Sequence, residues 1–176
     1  GCGSVKEIGY FAGVGKGVID KLANLGAVEL YEEEVYRSPY PDATPREEAP
    51  AVLSPDQQAA YDALARCLEE GKPRTALLYG VTGSGKTQVF MALMDRVLAR
   101  GRGVLVLVPE ISLTPQAIEK FRGRYGGRVA VLHSGLSLGE RMDEWRRIKE
   151  GRAQIVVGTR SAVFAPVQHL GLLVID

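Results

Sequence analysis

Five short, nearly continuous apolar runs punctuate the later part of the chain: Ala76–Tyr79, Val104–Val108, Val129–His133, Gln154–Gly158 and Leu172–Asp176. Runs that stay apolar without alternating predict strands covered on both faces, as in a parallel sheet. Between them, apolar residues recur at helical spacing and predict helices over Pro55–Leu68, Lys86–Ala99, Pro115–Tyr125 and Leu138–Lys149. Ser137, with Glu140 three residues on, has the form of a capping box at the last of these. Strand–helix alternation predicts an open α/β fold, a parallel sheet flanked by helices with ligands at the carboxyl ends of its strands.

The first fifty residues follow a different pattern. Ser4 and Glu7 suit a capping box for a short helix ended by Gly13 and Gly15. Val18, Ile19, Leu22 and Leu25 form an apolar stripe, and Gly26 stands where a helix should stop. Ala27–Tyr31 and Val35–Tyr36 read as the two strands of a hairpin around Glu32–Glu34. Helix, helix, hairpin is the order of a winged-helix module. A small helical cap with a strand pair fits the same residues equally well. Pro39, Pro41, Pro45 and Pro50 then mark a stretch too poor in apolar residues to bury much. The predicted organisation is a winged-helix-like segment over 1–37, a proline-rich linker over 38–52 and the α/β lobe over 53–176.

Charge sharpens this division. Residues 1–50 carry 5 Lys+Arg against 9 Asp+Glu, whereas residues 51–176 carry 17 against 12, with 13 of the 17 being arginine. The lobe is therefore the part expected to meet an anion, and the acidic front is poorly suited to gripping duplex phosphates. The apolar runs are short and broken by charges, which predicts no membrane span. Cys2 and Cys67 are 65 positions apart and offer neither a disulfide framework nor a closed zinc site. A reducing, cytoplasmic setting is the expectation.

The strongest local signal is Gly80-Val81-Thr82-Gly83-Ser84-Gly85-Lys86-Thr87, a full match to the G-x-x-x-x-G-K-[ST] phosphate loop. Glycines let backbone N–H groups turn toward phosphates, Lys86 supplies a cation for the β/γ oxygens, and the Thr87 hydroxyl suits Mg²⁺. Gly80, Thr82, Gly83, Ser84, Gly85, Lys86 and Thr87 are thus the predicted nucleotide-binding residues, with ATP or ADP and Mg²⁺ as ligands. Leu172–Asp176 has the form of a strand whose terminal aspartate holds the metal, pairing Asp176 with Thr87 on Mg²⁺ and with Lys86 in catalysis. The usual adjacent carboxylate does not follow Asp176 in this sequence.

Two further segments follow predicted strands on the same face. Pro109–Gln116 and Gly158–Ser161 offer hydroxyls, an amide, a guanidinium and a helix start, groups suited to phosphates along a DNA strand. Thr114, Gln116, Thr159 and Arg160 are the candidate DNA contacts, although ordinary loop and capping chemistry uses the same residue types.

Leu77–Thr87, Val108–Gln116, Leu132–Ser137 and Gly158–Pro166, taken in order, resemble the PriA-type primosomal replication-restart helicases. The resemblance spans residues 52–176. It implies a RecA-like first lobe of an ATP-dependent superfamily 2 helicase that moves 3′ to 5′ on DNA and acts at stalled forks. Single-stranded and forked DNA, primosome proteins and single-strand-binding proteins are the implied partners. Zinc is implied for the whole family protein but not for these residues. The resemblance further implies that this chain is a fragment, a monomer, and hydrolysis-deficient alone. A non-catalytic DNA-binding module and a P-loop ATPase or kinase unrelated to DNA are the alternatives.

Gln57 carries two readings. The resemblance suggests that it reads the adenine edge, while Ser54-Pro55-Asp56-Gln57 is also a capping box with proline at the first helical position. His133 is read as a hydrogen-bonded residue at a strand end, His169 as loop surface and Trp145 as core. The charges around Arg141–Arg152 are read as an internally paired, solvated helix face.

Overall fold

The computed structural model describes residues 3–31, 40 and 52–176, and divides the chain into two units, Gly1–Val35 and Tyr36–Asp176. The first unit contains helices α1 (Val5–Ala12) and α2 (Lys16–Asn24). Ser4 and Glu7 form the expected capping box on α1, with Glu7 N–H donating to Ser4 Oγ at 3.2 Å and Ser4 N–H to Glu7 Oε2 at 3.1 Å. Among its described apolar residues only Ile19 is buried.

The predicted strand over Ala27–Tyr31 does not form. Val28, Leu30 and Tyr31 are exposed, and among the described residues no strand lies alongside to take their backbone groups. The second hairpin strand, and the linker apart from Tyr40 and Val52, lie outside the described residues.

The second unit is an α/β lobe. Helices α3 (Pro55–Glu69) and α4 (Lys86–Leu98) lead to strand β1 (Gly103–Leu107). Helix α5 (Pro115–Tyr125), β2 (Val129–Leu132), α6 (Leu138–Lys149), β3 (Ile155–Gly158) and β4 (Leu170–Ile175) complete it. The four strands are parallel and ordered β2-β3-β1-β4. This is the expected parallel sheet flanked by helices, the architecture of a RecA-like lobe.

Both faces of β1, β2 and β3 are covered, whereas Leu170, Leu173 and Ile175 of β4 stay exposed. Val104, Val106, Val129, Val131, Ile155 and Val157 face a core shared with Met91, Met94 and Val97 of α4 and Ile118 and Phe121 of α5. Leu105, Ala130, Leu132 and Val156 face the opposite way, toward Leu136, Ile148 and Ala162. Uninterrupted Val/Ile/Leu runs follow from that double burial. Each such side chain withdrawn from water contributes about 1.5–3 kcal/mol before entropy is counted. The outer edge of β2 is closed by a side chain: buried Glu144 of α6 accepts the Val131 N–H at 2.9 Å and pairs with Arg147. A satisfied edge offers no free ladder to another strand.

The predicted strand Ala76–Tyr79 joins no ladder. Leu78 packs onto the α3–α4 contact, while Leu77 and Tyr79 are about nine-tenths exposed, at 88% and 91%. Its apolar run predicts burial on two faces, but only Leu78 finds neighbours. Trp145 also departs from its core assignment: it is 43% exposed, with Lys149 Nζ 5.3 Å from the ring centroid.

The crossovers fix where a site can form. Helix α4 ends just before β1 begins, so its N-terminus lies toward the carboxyl ends of the strands. The 3-10 turn Glu110–Ser112, the start of α5, the start of α6 and the 3-10 turn Arg160–Phe164 all follow strands at that same end.

Candidate nucleotide-binding site

Between Tyr79 and α4 the chain folds into a tight loop. Gly83 and Gly85 have φ of 82° and 81°, values that side-chain-bearing residues rarely adopt. A Cβ on Gly85 would also lie 2.2 Å from Gln57 Nε2, so a side chain there would be strained in its backbone and would displace the Gln57 amide. Ser84 N–H closes the loop onto Val81 O at 3.2 Å. The half-buried Lys86 turns its ammonium back over the loop, donating to Gly80 O at 2.8 Å and Val81 O at 3.1 Å. An ammonium group held over a glycine turn is already near the space that phosphate oxygens would enter.

The start of α4 differs from the other described α-helix starts in the lobe. Ser54 caps α3, Thr114 caps α5 and Ser137 caps α6, each through a side-chain oxygen. Helix α4 begins at Gly85 with no side-chain cap. Its first N–H groups and the positive end of its dipole therefore have no side-chain partner, the condition an anion requires.

Gln57 bridges the two halves of the site. Its Oε1 accepts the Ser54 N–H at 2.9 Å, its own N–H donates to Ser54 Oγ at 3.3 Å, and its Nε2 donates to Ser84 O at 2.9 Å. The capping box is present, and the same amide ties α3 to the phosphate loop.

Thr87 is the second residue of α4 and half-buried; Asp176 is exposed, and its N–H donates to Leu107 O at 3.0 Å, extending the β4–β1 pairing by one residue. Both groups thus stand at the carboxyl end of the sheet. A hydroxyl and a carboxylate are hard oxygen donors, which fit Mg²⁺.

The candidate DNA residues separate. Gln116 and Arg160 are exposed. Thr114 is exposed as well, but its Oγ1 accepts the Ala117 N–H at 3.2 Å as the α5 cap. Thr159 departs from the expectation of a DNA contact: only 3% of it is exposed. Its N–H reaches Leu132 O at 3.1 Å and its carbonyl accepts from Ala162, which draws the residue into the packed end of β3. His133 fulfils its strand-end reading, with Nδ1 accepting the Gly135 N–H at 3.1 Å. Its other nitrogen lies 2.9 Å from the Tyr40 hydroxyl, a partner that sequence reading missed. The one cue was an aromatic residue standing among prolines. His169 is exposed, as expected of loop surface.

A phosphate loop at the carboxyl edge of a parallel sheet defines a P-loop nucleotide-binding lobe. Residues 54–176 match the DEAD/DEAH box helicase family, and the chain belongs to it. It is 47% identical over 158 residues to the replication restart protein PriA of Bacillus subtilis (strain 168), covering 90% of this chain and 20% of that protein. It is similar too to proteins of the same name from Synechocystis (45% over 158 residues, 90% of this chain and 18% of the relative) and Treponema pallidum (48% over 125 residues, 71% and 19%). The chain spans about a fifth of the length of these curated relatives. Among the described residues no helix is long and apolar enough to cross a membrane.

Proposed function

We propose that this chain is the nucleotide-binding lobe of an ATP-dependent 3′-to-5′ DNA helicase of superfamily 2 that works at stalled forks in replication restart. The observation that carries the reading is the start of α4: of the lobe's four described α-helices it is the one without a side-chain cap, and it lies behind a loop that holds Lys86 in place. Phosphates entering the loop take the α4 N–H groups and exchange the Gly80 and Val81 carbonyls for themselves as partners of Lys86. Thr87 and Asp176 would hold Mg²⁺, which would supply positive charge to the bound phosphates. Gln57, tied to Ser84, positions the loop and faces the adenine edge.

DNA backbone lies along the carboxyl end of the sheet, contacted by Arg160, Gln116 and Thr114, with Thr159 supporting the turn from beneath. The names of the relatives support restart of replication as the setting, with primosome and single-strand-binding proteins as partners of the whole protein. Phosphoryl transfer needs an oriented water and further positive charge beyond Lys86, and an arginine finger alone is worth about 10³–10⁵ in rate. The 176-residue chain is expected to bind MgATP yet turn it over negligibly. The deciding experiment measures ATP turnover with and without forked DNA for this chain and for one extended to the relatives' length. DNA-stimulated turnover only in the longer protein, abolished by Lys86→Ala, is expected. Turnover at several per second by the 176-residue chain overturns the proposal for this chain. A longer protein indifferent to DNA overturns the helicase reading.

A further inference from the structure

Tyr40 lies outside every predicted element, yet it is held from three directions. Its ring is half-buried against the core beneath α5. The Arg122 guanidinium stands 5.4 Å from the ring centroid, and Arg122 Nη2 donates to Tyr40 O at 3.4 Å. Arg122 is itself only 2% exposed, so this cation is fixed by the lobe. The Tyr40 hydroxyl meets His133 Nε2 at 2.9 Å, across 93 residues of sequence, and the two rings stand edge to face.

The direction of that hydrogen bond follows from the other side of the imidazole. His133 Nδ1 accepts the Gly135 N–H, so the neutral ring carries its proton on Nε2 and donates it to Tyr40 Oη. Burial pushes the Tyr40 hydroxyl above its ordinary value, against the pull of Arg122, so it stays protonated across the neutral range. The cradle is therefore a fitted one: a planar cation for the ring, an acceptor-directed N–H for the hydroxyl and an arginine donor for the backbone carbonyl. Arg122 comes from α5, and His133 from the end of β2.

We propose that Tyr40 is a docking residue that fixes the chain at residue 40 onto the lobe, well ahead of the first lobe helix.

Arg37 and Arg46 flank Tyr40 and provide built-in trypsin sites. Limited digestion of the 176-residue chain, followed by mass spectrometry, compares cleavage after these residues in the wild type and in Tyr40→Ala. The expected result is acceleration on the order of tenfold in Tyr40→Ala, because cleavage tracks the population released from the lobe. Tyr40→Phe keeps the ring under Arg122 and loses the hydroxyl, so it should fall between the two, and His133→Asn should match it. Equal rates in wild type and Tyr40→Ala, with cleavage inside the lobe unchanged, overturn the proposal. Should Tyr40→Ala fail to fold, the nitrogen resonances of His133 decide. A proton on Nε2, slow to exchange in the wild type and fast in Tyr40→Phe, supports docking. A proton on Nδ1, or no change in exchange, contradicts it.

Discussion

The N-terminus of α4 and those of α3, α5 and α6 solve the same problem in opposite ways. Every helix starts with N–H groups that lack an internal partner. Ser54, Thr114 and Ser137 satisfy theirs locally, with Gln57 and Glu140 completing two capping boxes. Helix α4 has Gly85 in the equivalent place, in a left-handed conformation and with no side-chain acceptor. A side-chain cap is worth about 1 kcal/mol, so the lobe forgoes local stability at one helix start while securing it at three others. Sites of function are where local rules are broken in this manner, and the broken rule here coincides with the loop that holds Lys86.

Lys86→Ala should break the comparison most severely. Removing a charge-assisted partner of the phosphates costs about 1.5–3 kcal/mol, or about 10- to 100-fold in MgATP affinity by calorimetry. The lobe's melting temperature should barely move, since Lys86 Nζ bonds only to loop carbonyls in the described contacts. Ser137→Ala should do the reverse. Loss of the α6 cap should lower unfolding stability by about 1 kcal/mol in urea titration and leave nucleotide affinity untouched.

Gln57→Glu separates two duties of one side chain. A glutamate still completes the box with Ser54 but has no amide to donate to Ser84 O. Stability should hold, while MgATP affinity falls by roughly a few-fold, the scale of one neutral hydrogen bond. A fall for ATP that is absent for GTP would add adenine recognition to the loop contact. The smallest effect is one of pH. Ser137 holds the Glu140 carboxyl below its ordinary value, first through its side chain and then through its backbone. A lowered folded value means that the stabilisation is present above the unfolded value and is lost as pH falls through the folded one. Protection of the amides at the start of α6, measured relative to their intrinsic exchange rates, should therefore fall across about pH 5 to 3, more than at the α4 start, where no carboxylate caps the helix.

The same contrast explains what could be read from the sequence. Helix starts are written in three or four neighbouring residues, and Pro55, Pro115, Leu138 and Lys86 open their helices where predicted. The phosphate loop is equally local. Strands depend on partners elsewhere in the chain: Val104, Val129 and Ile155 find theirs, whereas Ala76–Tyr79 and Ala27–Tyr31, apolar enough to predict strands, do not. Thr159 looked like a surface hydroxyl because nothing local reveals that Leu132 O would take its N–H and that it would be buried. Tyr40 was invisible for the same reason, since its partners lie in α5 and at the end of β2.

The central claim is that the start of α4, unlike its three counterparts, is a phosphate site. Titrating the isotopically labelled chain with MgADP while following backbone amides tests it directly, with adenosine as the control lacking phosphates. The account predicts saturable shifts that are largest over Gly83–Gln88 and small at the starts of α5 and α6, with adenosine leaving Gly83–Lys86 unmoved. Shifts as large at Ser137–Glu140 as at the loop, or none at the loop at millimolar MgADP, would contradict it.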